Sequence, residues 1–475
     1  MEQDTSLIKK SSAPKGKRLL SIDIGSTYTK GAVFRLSGES LEFLNRAVCP
    51  TTVAHLKNGF DAVRYRLDPN KTADRVYFSS SAKGGLAISA IGLVPDLTLK
   101  AARSAALSAG GKVVSVHAYK LTITHLEELT AQKPDILLLA GGTDGGNESY
   151  VRHNAEILCR LPSLTPDLPL PAVVYAGNSV LKDEICAMLG GACFDVYPAQ
   201  NILPQIDQMT PDGAREKIRD VFLRSIVHGK GLDAIQAEIG AAPLPTPLAV
   251  LKLVEAMRAE APWDFLLIDM GGATTDVYSA GGGVEAESRV IMRGLPEPEI
   301  KRTVEGDLGM RVSAAAAANS ADDALSRLLK DDEREAFATF IARLTAAPDY
   351  LPAAPVEIRF DGILASICIQ NAMQRHAGTW RRVFTAMGET FVQQGKDLRG
   401  IPVVIGSGGF LSAMEGFVPG PPQNNPHREI ISLTPERYNY HRDYNYLFPL
   451  LGSIAAEFPR QAALCAMANI SGIWV

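Results

Sequence analysis

Two short stretches of this sequence place a carboxylate, glycines and hydroxyl groups at the same spacing. One reads Phe-Leu-Leu-Ile-Asp-Met-Gly-Gly-Ala-Thr-Thr-Asp-Val over 265–277, and the other reads Leu-Leu-Ser-Ile-Asp-Ile-Gly-Ser-Thr-Tyr-Thr-Lys over 19–30. Glycines let the backbone approach an anion closely and turn its N–H groups inward, hydroxyl groups add donors, and a carboxylate holds a hydrated cation. Each stretch therefore predicts a phosphate-sized turn after a buried strand.

The two stretches align residue by residue. Ile22, Asp23, Gly25 and Thr29 correspond in order to Ile268, Asp269, Gly271 and Thr275. This correspondence predicts that the chain is built from two similar halves, each with its own acidic turn.

A third glycine turn follows another apolar run late in the sequence. Residues 402–411 read Pro-Val-Val-Ile-Gly-Ser-Gly-Gly-Phe-Leu, and the turn contains Gly406, Ser407, Gly408 and Gly409. Two acidic turns from two half-molecules, plus a glycine turn for a nucleoside, are what a nucleotide clamped between two lobes requires. The sequence therefore predicts a nucleotide site between two lobes.

A fourth glycine-rich loop follows the fully apolar run that ends at Ala140. It contains Gly141, Gly142, Thr143 and Asp144, and a helix with Asn147 or Glu148 in its first turn is expected next. A loop that leads into a helix N-terminus can aim an acid at a bound phosphate. The alternative is that these glycines only make a tight crossover between strand and helix.

The elements that hold the first two turns are predicted to be β-hairpins. Residues 18–36 read as a strand, a turn at 25–27 and a returning strand, and no G-x-x-x-x-G-K-[ST] occurs in the chain. A Rossmann or P-loop site would place a helix directly after its glycines. Both are therefore disfavoured, and an ordinary hairpin with a hydroxyl-rich turn remains the alternative for either stretch taken alone.

Composition excludes several classes of protein. The chain has 475 residues, long enough for two or three domains, and a net charge of −4, which gives no sign of a nucleic-acid surface. Its six cysteines lack Cys-x-x-Cys spacing, and no run approaches the roughly 20 apolar residues of a membrane span. We expect a soluble, cytoplasmic protein that contacts neither nucleic acid nor membrane.

The boundary between the two lobes is predicted at a proline-rich linker, Ala-Ala-Pro-Leu-Pro-Thr-Pro over 241–247, with Thr246 capping a helix to Glu260. The expected division is a disordered tail over 1–17, a first lobe over 18–245 and a second lobe over 246–445.

These segments, in this order, resemble the phosphate-1, phosphate-2 and adenosine motifs of the actin, sugar-kinase and 70-kDa heat-shock-protein superfamily. The resemblance implies an α/β fold with two actin-like (ribonuclease H-like) lobes, mixed sheets flanked by helices, and the nucleotide in the interlobe cleft. It also implies that a C-terminal helix over 446–475 returns to the first lobe, with Gly452 and Ser453 as hinge contacts.

The chain resembles one family of this superfamily more closely, the MutL family of accessory proteins found with glutamate mutase and other adenosylcobalamin-dependent aminomutases. It is unrelated to the mismatch-repair protein of that name. Besides the two acidic turns, the matching segments are 81–86 (Ser-Ala-Lys-Gly-Gly-Leu), 92–98 (Gly-Leu-Val-Pro-Asp-Leu-Thr), 139–147 (Leu-Ala-Gly-Gly-Thr-Asp-Gly-Gly-Asn) and 306–311 (Gly-Asp-Leu-Gly-Met-Arg). The family's role is that of an ATP-driven chaperone or reactivating factor for the mutase.

The resemblance assigns roles to individual residues. Asp23 and Asp269 would hold Mg²⁺ through water, and Asp144 or Asp269, with Glu148 as a further choice, would orient the water that attacks ATP. The expected contacts to ATP are Gly25, Ser26, Thr27, Lys30, Gly141, Gly142, Thr143, Gly271, Gly272, Ala273, Thr274, Thr275, Gly406, Ser407, Gly408 and Gly409.

The implied activity is that of a weak Mg²⁺-dependent ATPase whose partner is a mutase subunit, with cobalamin reached only through that partner. The sequence leaves open whether the chain forms a homodimer. Two other classes also stay open: a small-molecule kinase or hydantoinase-like ATP-dependent enzyme of the same fold, and a nucleotide-dependent scaffold or filament protein.

Overall fold

The structure is a computed structural model that describes residues 16–25, 27–52, 55–81, 87–109, 111–206, 208–227, 231–282, 290–320, 328–385, 388–420 and 429–470. The described strands form three five-stranded sheets and one four-stranded sheet, and helices cover them.

The strands are β1 Lys17–Ile24, β2 Tyr28–Ser37, β3 Ser40–Pro50, β4 Arg75–Ser80, β5 Ala87–Gly92, β6 Lys112–Ala118, β7 Ile136–Leu139, β8 Ala172–Tyr175, β9 Val196–Pro198, β10 Leu244–Pro245, β11 Phe265–Met270, β12 Thr275–Ala280, β13 Val290–Arg293, β14 Ile300–Glu305, β15 Thr379–Thr385, β16 Gly388–Gln394, β17 Val403–Ser407, β18 Ile430–Ser432 and β19 Asn439–Arg442.

The α-helices are α1 Leu56–Leu67, α2 Lys100–Ser108, α3 Ile123–Gln132, α4 Ser149–Leu158, α5 Leu161–Leu164, α6 Lys182–Gly191, α7 Asp212–Val227, α8 Leu232–Ile239, α9 Thr246–Glu260, α10 Ala314–Asn319, α11 Arg334–Ala346, α12 Pro355–His376, α13 Gly409–Ala413, α14 Phe448–Ala455 and α15 Pro459–Ala468. A π-helical turn, Pro95–Leu99, precedes α2, and 3₁₀ turns lie at Ser179–Leu181 and Asp331–Glu333.

The first hairpin sheet has the strand order β10-β4-β1-β2-β3. Its central hairpin, β1 and β2, closes through a hydrogen bond from the Gly25 N–H to the Tyr28 carbonyl at 3.1 Å. Strand β4 runs parallel to β1, and β2 and β3 are antiparallel. Mixed pairing of this kind follows because a tight turn joins antiparallel strands, whereas a parallel strand needs a crossover.

The second hairpin sheet repeats the first, with the order β19-β17-β11-β12-β14. Its hairpin closes through the Gly271 N–H and the Thr274 carbonyl at 2.9 Å. Parallel pairing of β17 with β11 matches that of β4 with β1. The predicted duplication of the chain is therefore present in the strand order as well as in the sequence.

An inserted sheet lies between β4 and α7 in the chain. Its order is β6-β5-β7-β8-β9, and all of its pairs are parallel. Its interior strand β7, Ile136–Leu139, is fully buried, as expected for a parallel strand covered on both faces. The loop over 140–148 follows β7 at the carboxyl edge of this sheet, and α4 begins at Ser149, as predicted for a strand, loop and helix.

Helices α9 and α14 pack against each other between the two hairpin sheets. Each follows the last strand of one sheet, because α9 comes directly after β10 and α14 comes shortly after β19. Their apolar side chains share one core with Leu19 of β1 and Phe265 of β11. A Cβ built on Gly452 of α14 would overlap the Ala249 carbonyl of α9, so the helices cross at backbone contact.

The structure corrects two sequence-based expectations near the linker. Leu244 and Pro245 pair with Ser79 and Ser80, so part of the predicted linker is a strand of the first hairpin sheet. The reason is that prolines are tolerated at a sheet edge, where one N–H needs no partner. Thr246 begins α9 as predicted, but its hydroxyl does not cap the helix.

The predicted C-terminal helix over 446–475 is two helices in the described residues, α14 and α15, separated at 456–458. Pro459 starts α15, consistent with the preference of proline for a first helical turn. Both helices pack on α9, α14 also contacts β1 and β4, and α15 contacts β3. No helix in the described ranges is long and apolar enough to cross a bilayer.

Candidate functional site

The two aspartates of the predicted phosphate turns face the same interior. Alternate residues of a strand point to one face, and Leu19 on β1 packs in the core between the two hairpin sheets, which places Asp23 on that face. Phe265 and Leu267 on β11 pack in the same core and place Asp269 there. The period of two therefore directs both carboxylates into the region between the two hairpins.

Asp23 is held by two hydroxyl groups. The Ser79 hydroxyl donates to its Oδ1 at 2.8 Å, and the Thr246 hydroxyl donates to the same oxygen at 2.6 Å. All three residues are buried. Both bonds go to Oδ1, so neither of these hydroxyl groups occupies the second oxygen of Asp23.

A third carboxylate, Asp443, belongs to the same group. It accepts the N–H groups of Leu447 at 2.8 Å and Phe448 at 3.0 Å, and the Ser407 hydroxyl at 3.1 Å. Burial raises its pKa to about 6. Asp443 precedes α14 just as Thr246 begins α9, so each of the two central helices starts at the site.

Lys30 points into this group instead of towards solvent. Its Nζ lies 3.7 Å from the centroid of the Tyr446 ring. Burial lowers the pKa of Lys30, while the charges of Asp23, Asp269 and Asp443 oppose that effect. We call Asp23, Lys30, Asp269, Asp443 and Tyr446 the acidic cluster.

The carboxyl group of Asp269 has a higher pKa than that of Asp443. Burial raises its pKa to about 7, the neighbouring charge of Asp276 adds to the effect, and the Lys30 ammonium acts against it. Asp276 lies directly opposite Asp269 on β12. Close carboxylates in a buried site cannot all ionise without a nearby cation.

The turn of the second hairpin is supported from one side by the loop 306–313. The Met310 N–H donates to the Gly271 carbonyl at 3.1 Å, and the Arg311 N–H donates to the Gly272 carbonyl at 2.8 Å. A trans peptide directs its C=O and N–H to opposite sides. Fixing these carbonyls therefore turns the following N–H groups towards the opposite side, as an anion-binding turn requires.

Further bonds fix the same loop. The Ser313 hydroxyl donates to the Ala273 carbonyl at 2.7 Å. Arg311 forms a bidentate pair with Asp361 of α12, at 2.9 and 3.0 Å. Thr274 ends the turn, and its carbonyl accepts the hairpin-closing bond. The sequence identified 306–311 as a family segment, but it did not show that this segment supports the hairpin turn.

The two hairpin turns approach each other. A Cβ built on Gly272 would lie 4.0 Å from the Thr27 Oγ1 of the first hairpin. The structure thus brings together Gly25 and Thr27 from one turn with Gly271 and Gly272 from the other. Ser26, predicted to contact the phosphates, lies outside the described residues.

The third glycine turn, at the end of β17, packs against residues of β11 and β19. A Cβ on Gly408, where φ is +106°, would overlap the Met270 carbonyl, and one on Gly406 would overlap the Tyr440 ring. At Gly409, in contrast, a Cβ would meet nothing within 4 Å. Gly406 and Gly408 are therefore required by packing, and Gly409 is the open position of the turn.

Two predicted ligand residues use their hydroxyl groups within the protein. Thr275 is buried, and its Oγ1 donates to the Leu308 carbonyl at 2.7 Å. Ser407 is buried and donates to Asp443. Only the backbone of these two residues remains for a ligand.

Asp144 is bonded to residues of the two loops that follow β8 and β9. Its Oδ1 accepts the Ser179 N–H and the Asn201 amide, both at 2.8 Å. These bonds outweigh its desolvation and lower its pKa. Asn178 accepts the N–H groups of Gly145 at 3.0 Å and Val180 at 3.1 Å, so it caps the adjacent 3₁₀ turn.

The other residues of this loop follow the same pattern. Gly141 and Gly142 have φ of +153° and +70°, so a left-handed backbone requires glycine there. Thr143 accepts the Gly146 N–H through its carbonyl at 2.9 Å. Glu148 pairs with Arg152 at 3.0 Å. The observed bonds are those of a tight crossover, and a contact between this loop and ATP stays a prediction.

Sequence reasoning missed the buried pair of Asp276 and Arg302. Arg302 Nη2 lies 2.8 Å from Asp276 Oδ2, and its other nitrogen donates to the Leu107 carbonyl at the end of α2. The spacing of Asp269 and Asp276, seven residues across a four-residue turn, would have placed them opposite one another. The position of Arg302 on a third strand is not visible from that spacing.

The sequence of the whole chain was compared with known proteins. A model of the family described as "MutL protein" matches residues 19–469. Protein MutL of Clostridium tetanomorphum is 36% identical over 458 residues, which cover 93% of this chain and 97% of that protein. This chain belongs to the MutL family.

Solved structures also align with this MutL-family chain, at low similarity. A glycerol dehydratase reactivase is 10% identical, with a TM-score of 0.33, over 93% of this chain and 99% of that one. An ATP-dependent caprolactamase from Pseudomonas jessenii is 14% identical, with a TM-score of 0.32, over 82% of this chain and 65% of that one. Similarity at this level carries no argument about function.

The fold of this MutL-family chain is the two-lobed, actin-like α/β fold expected from the sequence. Two hairpin sheets of the same strand order, with helices α9 and α14 between them, are its basis. The family-specific segment 306–311 supports the turn of the second hairpin. The family segment 139–147 forms the loop of the inserted sheet, and 82–86 lies outside the described residues.

Proposed function

We propose that this MutL-family chain binds Mg-ATP between its two hairpin turns and hydrolyses it slowly, as an accessory or reactivating factor for an adenosylcobalamin-dependent mutase. The observation that carries the nucleotide part is the approach of two hairpin turns, each closed by the equivalent glycine N–H, beside the acidic cluster. The mutase part rests on the family to which the chain belongs. Cobalamin would be reached through the mutase subunit.

The residues present fit a hydrated Mg²⁺. Asp23 and Asp443 are buried and Asp269 is half-buried. The charges of all three carboxylates act on Lys30, and Arg46 is a second cation that acts on Lys30 and Asp443. Burial and mutual repulsion raise the pKa of Asp269, which is the behaviour of a carboxylate group that lacks part of its countercharge. Oxygen ligands that leave room for water are those that Mg²⁺ prefers.

Each part of the site has a task in binding ATP. The N–H groups of the turns over 25–27 and 271–274 face the phosphates, and Gly409 leaves room beside the nucleoside. Lys30 places a positive charge beside the acidic side chains and, with Tyr446, limits water around it. When bound, Mg²⁺ neutralises phosphate charge and orients the terminal phosphate.

Asp269 is the residue best placed to orient the attacking water. It lies on the face of β11 that is turned towards the other hairpin sheet. With a pKa of about 7 its carboxyl group is partly ionised near neutral pH and can accept a hydrogen bond from water. Asp144 stays as the second candidate, although its observed bonds lie within the inserted sheet. Catalysis in such a site comes mainly from positioning and charge neutralisation.

ATP hydrolysis would change the arrangement of the two central helices, α9 and α14. Thr246 at the start of α9 binds Asp23, and Asp443 binds the first N–H groups of α14. A change in the phosphates therefore changes the charge at the N-termini of both helices. Work on a partner requires that the ATP and ADP states differ in affinity for it, so the mutase must prefer one arrangement of these helices.

The test uses the purified full chain with an adenosylcobalamin-dependent aminomutase inactivated by cyanocobalamin. We expect mutase activity to return with Mg-ATP and fresh adenosylcobalamin, and to stay lost with Asp269→Ala. Asp331→Ala serves as the control, since the Asp331 side chain is 98% exposed.

Two results would contradict the proposal. ATP hydrolysis that ignores the mutase but accelerates with a sugar or a cyclic amide would favour a small-molecule enzyme. Nucleotide-dependent sedimentation of the chain by itself, without an effect on the mutase, would favour a scaffold or filament protein.

A further inference from the structure

We propose that His117, His125 and Glu128 form a binding site for a divalent transition metal, such as Zn²⁺, at the edge of the inserted sheet. His117 lies on the edge strand β6, and the other two residues lie on α3. One ligand atom from each residue lies within 4.8 Å of the other two. This site is separate from the acidic cluster and its proposed Mg²⁺.

The geometry is close to that of a coordinated ion. His117 Nδ1 lies 3.7 Å from Glu128 Oε2, and the rings of His117 and His125 are 5.1 Å apart between centroids. Two ligands on one tetrahedral zinc, with bonds of about 2.1 Å, are separated by about 3.4 Å. His125 and Glu128 are not buried, so their side chains can close the remaining distance.

Helical spacing brings the two α3 ligands together. Residues three apart on a helix lie on the same face, and α3 packs on β6. The His-x-x-Glu spacing therefore presents an imidazole and a carboxylate towards the strand that carries His117. Imidazole nitrogens favour zinc, cobalt and nickel over magnesium, which prefers oxygen ligands only.

A hydrogen-bonded chain orients the buried imidazole. His117 is 4% exposed, and its Nε2 lies 3.1 Å from the Ser115 hydroxyl. Ser115 in turn lies 2.7 Å from the buried Ser89 hydroxyl. With Nε2–H donating to Ser115, His117 presents the lone pair of Nδ1 towards Glu128. Metal-ligating histidines generally have such a partner on their other nitrogen.

Metal binding would change the start of α3. The Thr122 N–H donates to His125 Nδ1 at 3.1 Å. A metal on Nδ1 replaces this bond, and a metal on Nε2 puts the proton on Nδ1, so the Thr122 N–H loses its acceptor in either case. The Thr122 hydroxyl keeps its bond to the His125 N–H, so the helix retains one of its two caps. The metal thus replaces a cap bond with a link between α3 and the edge strand.

The experiment titrates zinc into the metal-free full chain and measures the binding by calorimetry. Cys193→Ser is the background, because Cys193 is an exposed thiol that could itself take up zinc. With excess Mg²⁺ present to occupy the acidic cluster, we expect one equivalent of zinc to bind, with an affinity lowered at least about tenfold by Glu128→Gln or His117→Gln. Ser115→Ala, which removes the hydrogen-bonded support, should weaken it by about tenfold.

Glu127→Gln is the matched control, since Glu127 is the neighbouring exposed carboxylate of the same helix. The proposal is overturned if Glu127→Gln and Glu128→Gln bind zinc equally, or if Cys193→Ser abolishes binding. Glu128 is exposed, so its variant tests the site even if His117→Gln does not fold. Co²⁺ in place of Zn²⁺ should show no thiolate charge-transfer band.

Discussion

At the level of single residues, the acidic cluster shows how position decides chemistry. Asp23 and Asp269 occupy equivalent places in the two halves of the chain, yet their surroundings differ. Asp23 accepts two hydroxyl groups and faces Lys30 across the hairpin. Asp269 faces Asp276 at the equivalent place and keeps its proton to about pH 7. The duplication therefore places one aspartate opposite a lysine and its equivalent opposite a second aspartate.

The raised pKa of Asp269 predicts a pH-dependent stability. In the unfolded chain this carboxyl loses its proton near pH 3.8, whereas in the folded chain it does so at about 7. Between these values the folded state binds more protons, so the free energy of unfolding falls as pH rises. Asp269→Asn should remove part of this fall, on the order of 2 kcal/mol.

Urea unfolding without nucleotide at pH 5 and pH 8 measures this effect. The surface variant Asp331→Asn should lose as much free energy of unfolding between pH 5 and pH 8 as the parent chain does. An equal loss in Asp269→Asn would show that the pKa of the Asp269 carboxyl is not raised. The Asp269→Asn variant should keep a smaller pH dependence of the free energy of unfolding, because burial also raises the pKa of Asp443, to about 6.

Lys30→Met removes the ammonium from the acidic cluster while keeping the length of the side chain. We expect ATP affinity to fall about tenfold to a hundredfold, since a hydrogen bond to a charged group contributes about 1.5–3 kcal/mol. Fluorescence titration with a nucleotide analogue measures the change. Lys17→Met, an exposed lysine at the start of β1, is the control. An unchanged affinity would place Lys30 outside the phosphate site.

At the level of elements, the crossing of α9 and α14 is the contact on which both lobes depend. Gly452 lies where the two backbones touch, and Gly362 in α12 lies where a Cβ would meet nothing within 4 Å. Both glycines lie inside helices, but only Gly362 has space for a side chain. Substituting each by alanine therefore distinguishes the packing role of a glycine from its effect on helix propensity.

Gly452→Ala should lower the free energy of unfolding by about 1–3 kcal/mol, because the added methyl group forces the helices apart. Gly362→Ala should instead raise it by up to about 1 kcal/mol, because alanine is the better helix former. Urea unfolding of both variants gives the comparison. Stabilisation by both substitutions would mean that the helices are not in backbone contact.

At the level of the whole molecule, polar contacts join α2 and the π-helical turn before it, beside the inserted sheet, to the segment that runs from β13 to β14. Lys100 Nζ lies 2.6 Å from Glu297, and Arg293 lies 3.1 Å from Asp96. Arg302 adds a bond from β14 to the last turn of α2 while it pairs with Asp276. The inserted sheet is thereby connected to the acidic cluster through Asp276.

A charge swap tests this connection. Lys100→Glu and Glu297→Lys should each lower the free energy of unfolding, and the double variant should recover a coupling energy on the order of 1 kcal/mol. The effect should be smaller at high salt, because Lys100 is partly exposed. Additive losses in the double variant would show that the two side chains do not interact in solution. ATP hydrolysis by the same variants would show whether the contact influences the site.

The sequence by itself determined the elements that depend only on residues close together in the chain. The acidic hairpins, the duplication and the strand, loop and helix at 136–158 follow from apolar runs and glycine positions within a few residues, and family membership was recognisable from the same segments. The family model and the relative from Clostridium tetanomorphum confirm that membership. The period of two also sufficed to put Asp23 and Asp269 on defined faces of their strands.

Only the tertiary structure decided which distant residues share a site. Asp443 joins Asp23 and Asp269 because β19 neighbours β17 and α14 returns between the sheets, and nothing near residue 443 indicates this. Lys30 lies over the ring of Tyr446, which is distant in the sequence. Asp276 forms its ion pair with Arg302, which lies on a third strand. The observed partners of Asp144, Ser179 and Asn201, come from the loops after β8 and β9, and its role beside the attacking water stays a prediction. Strand order and register set these contacts, and they are properties of the assembled sheets.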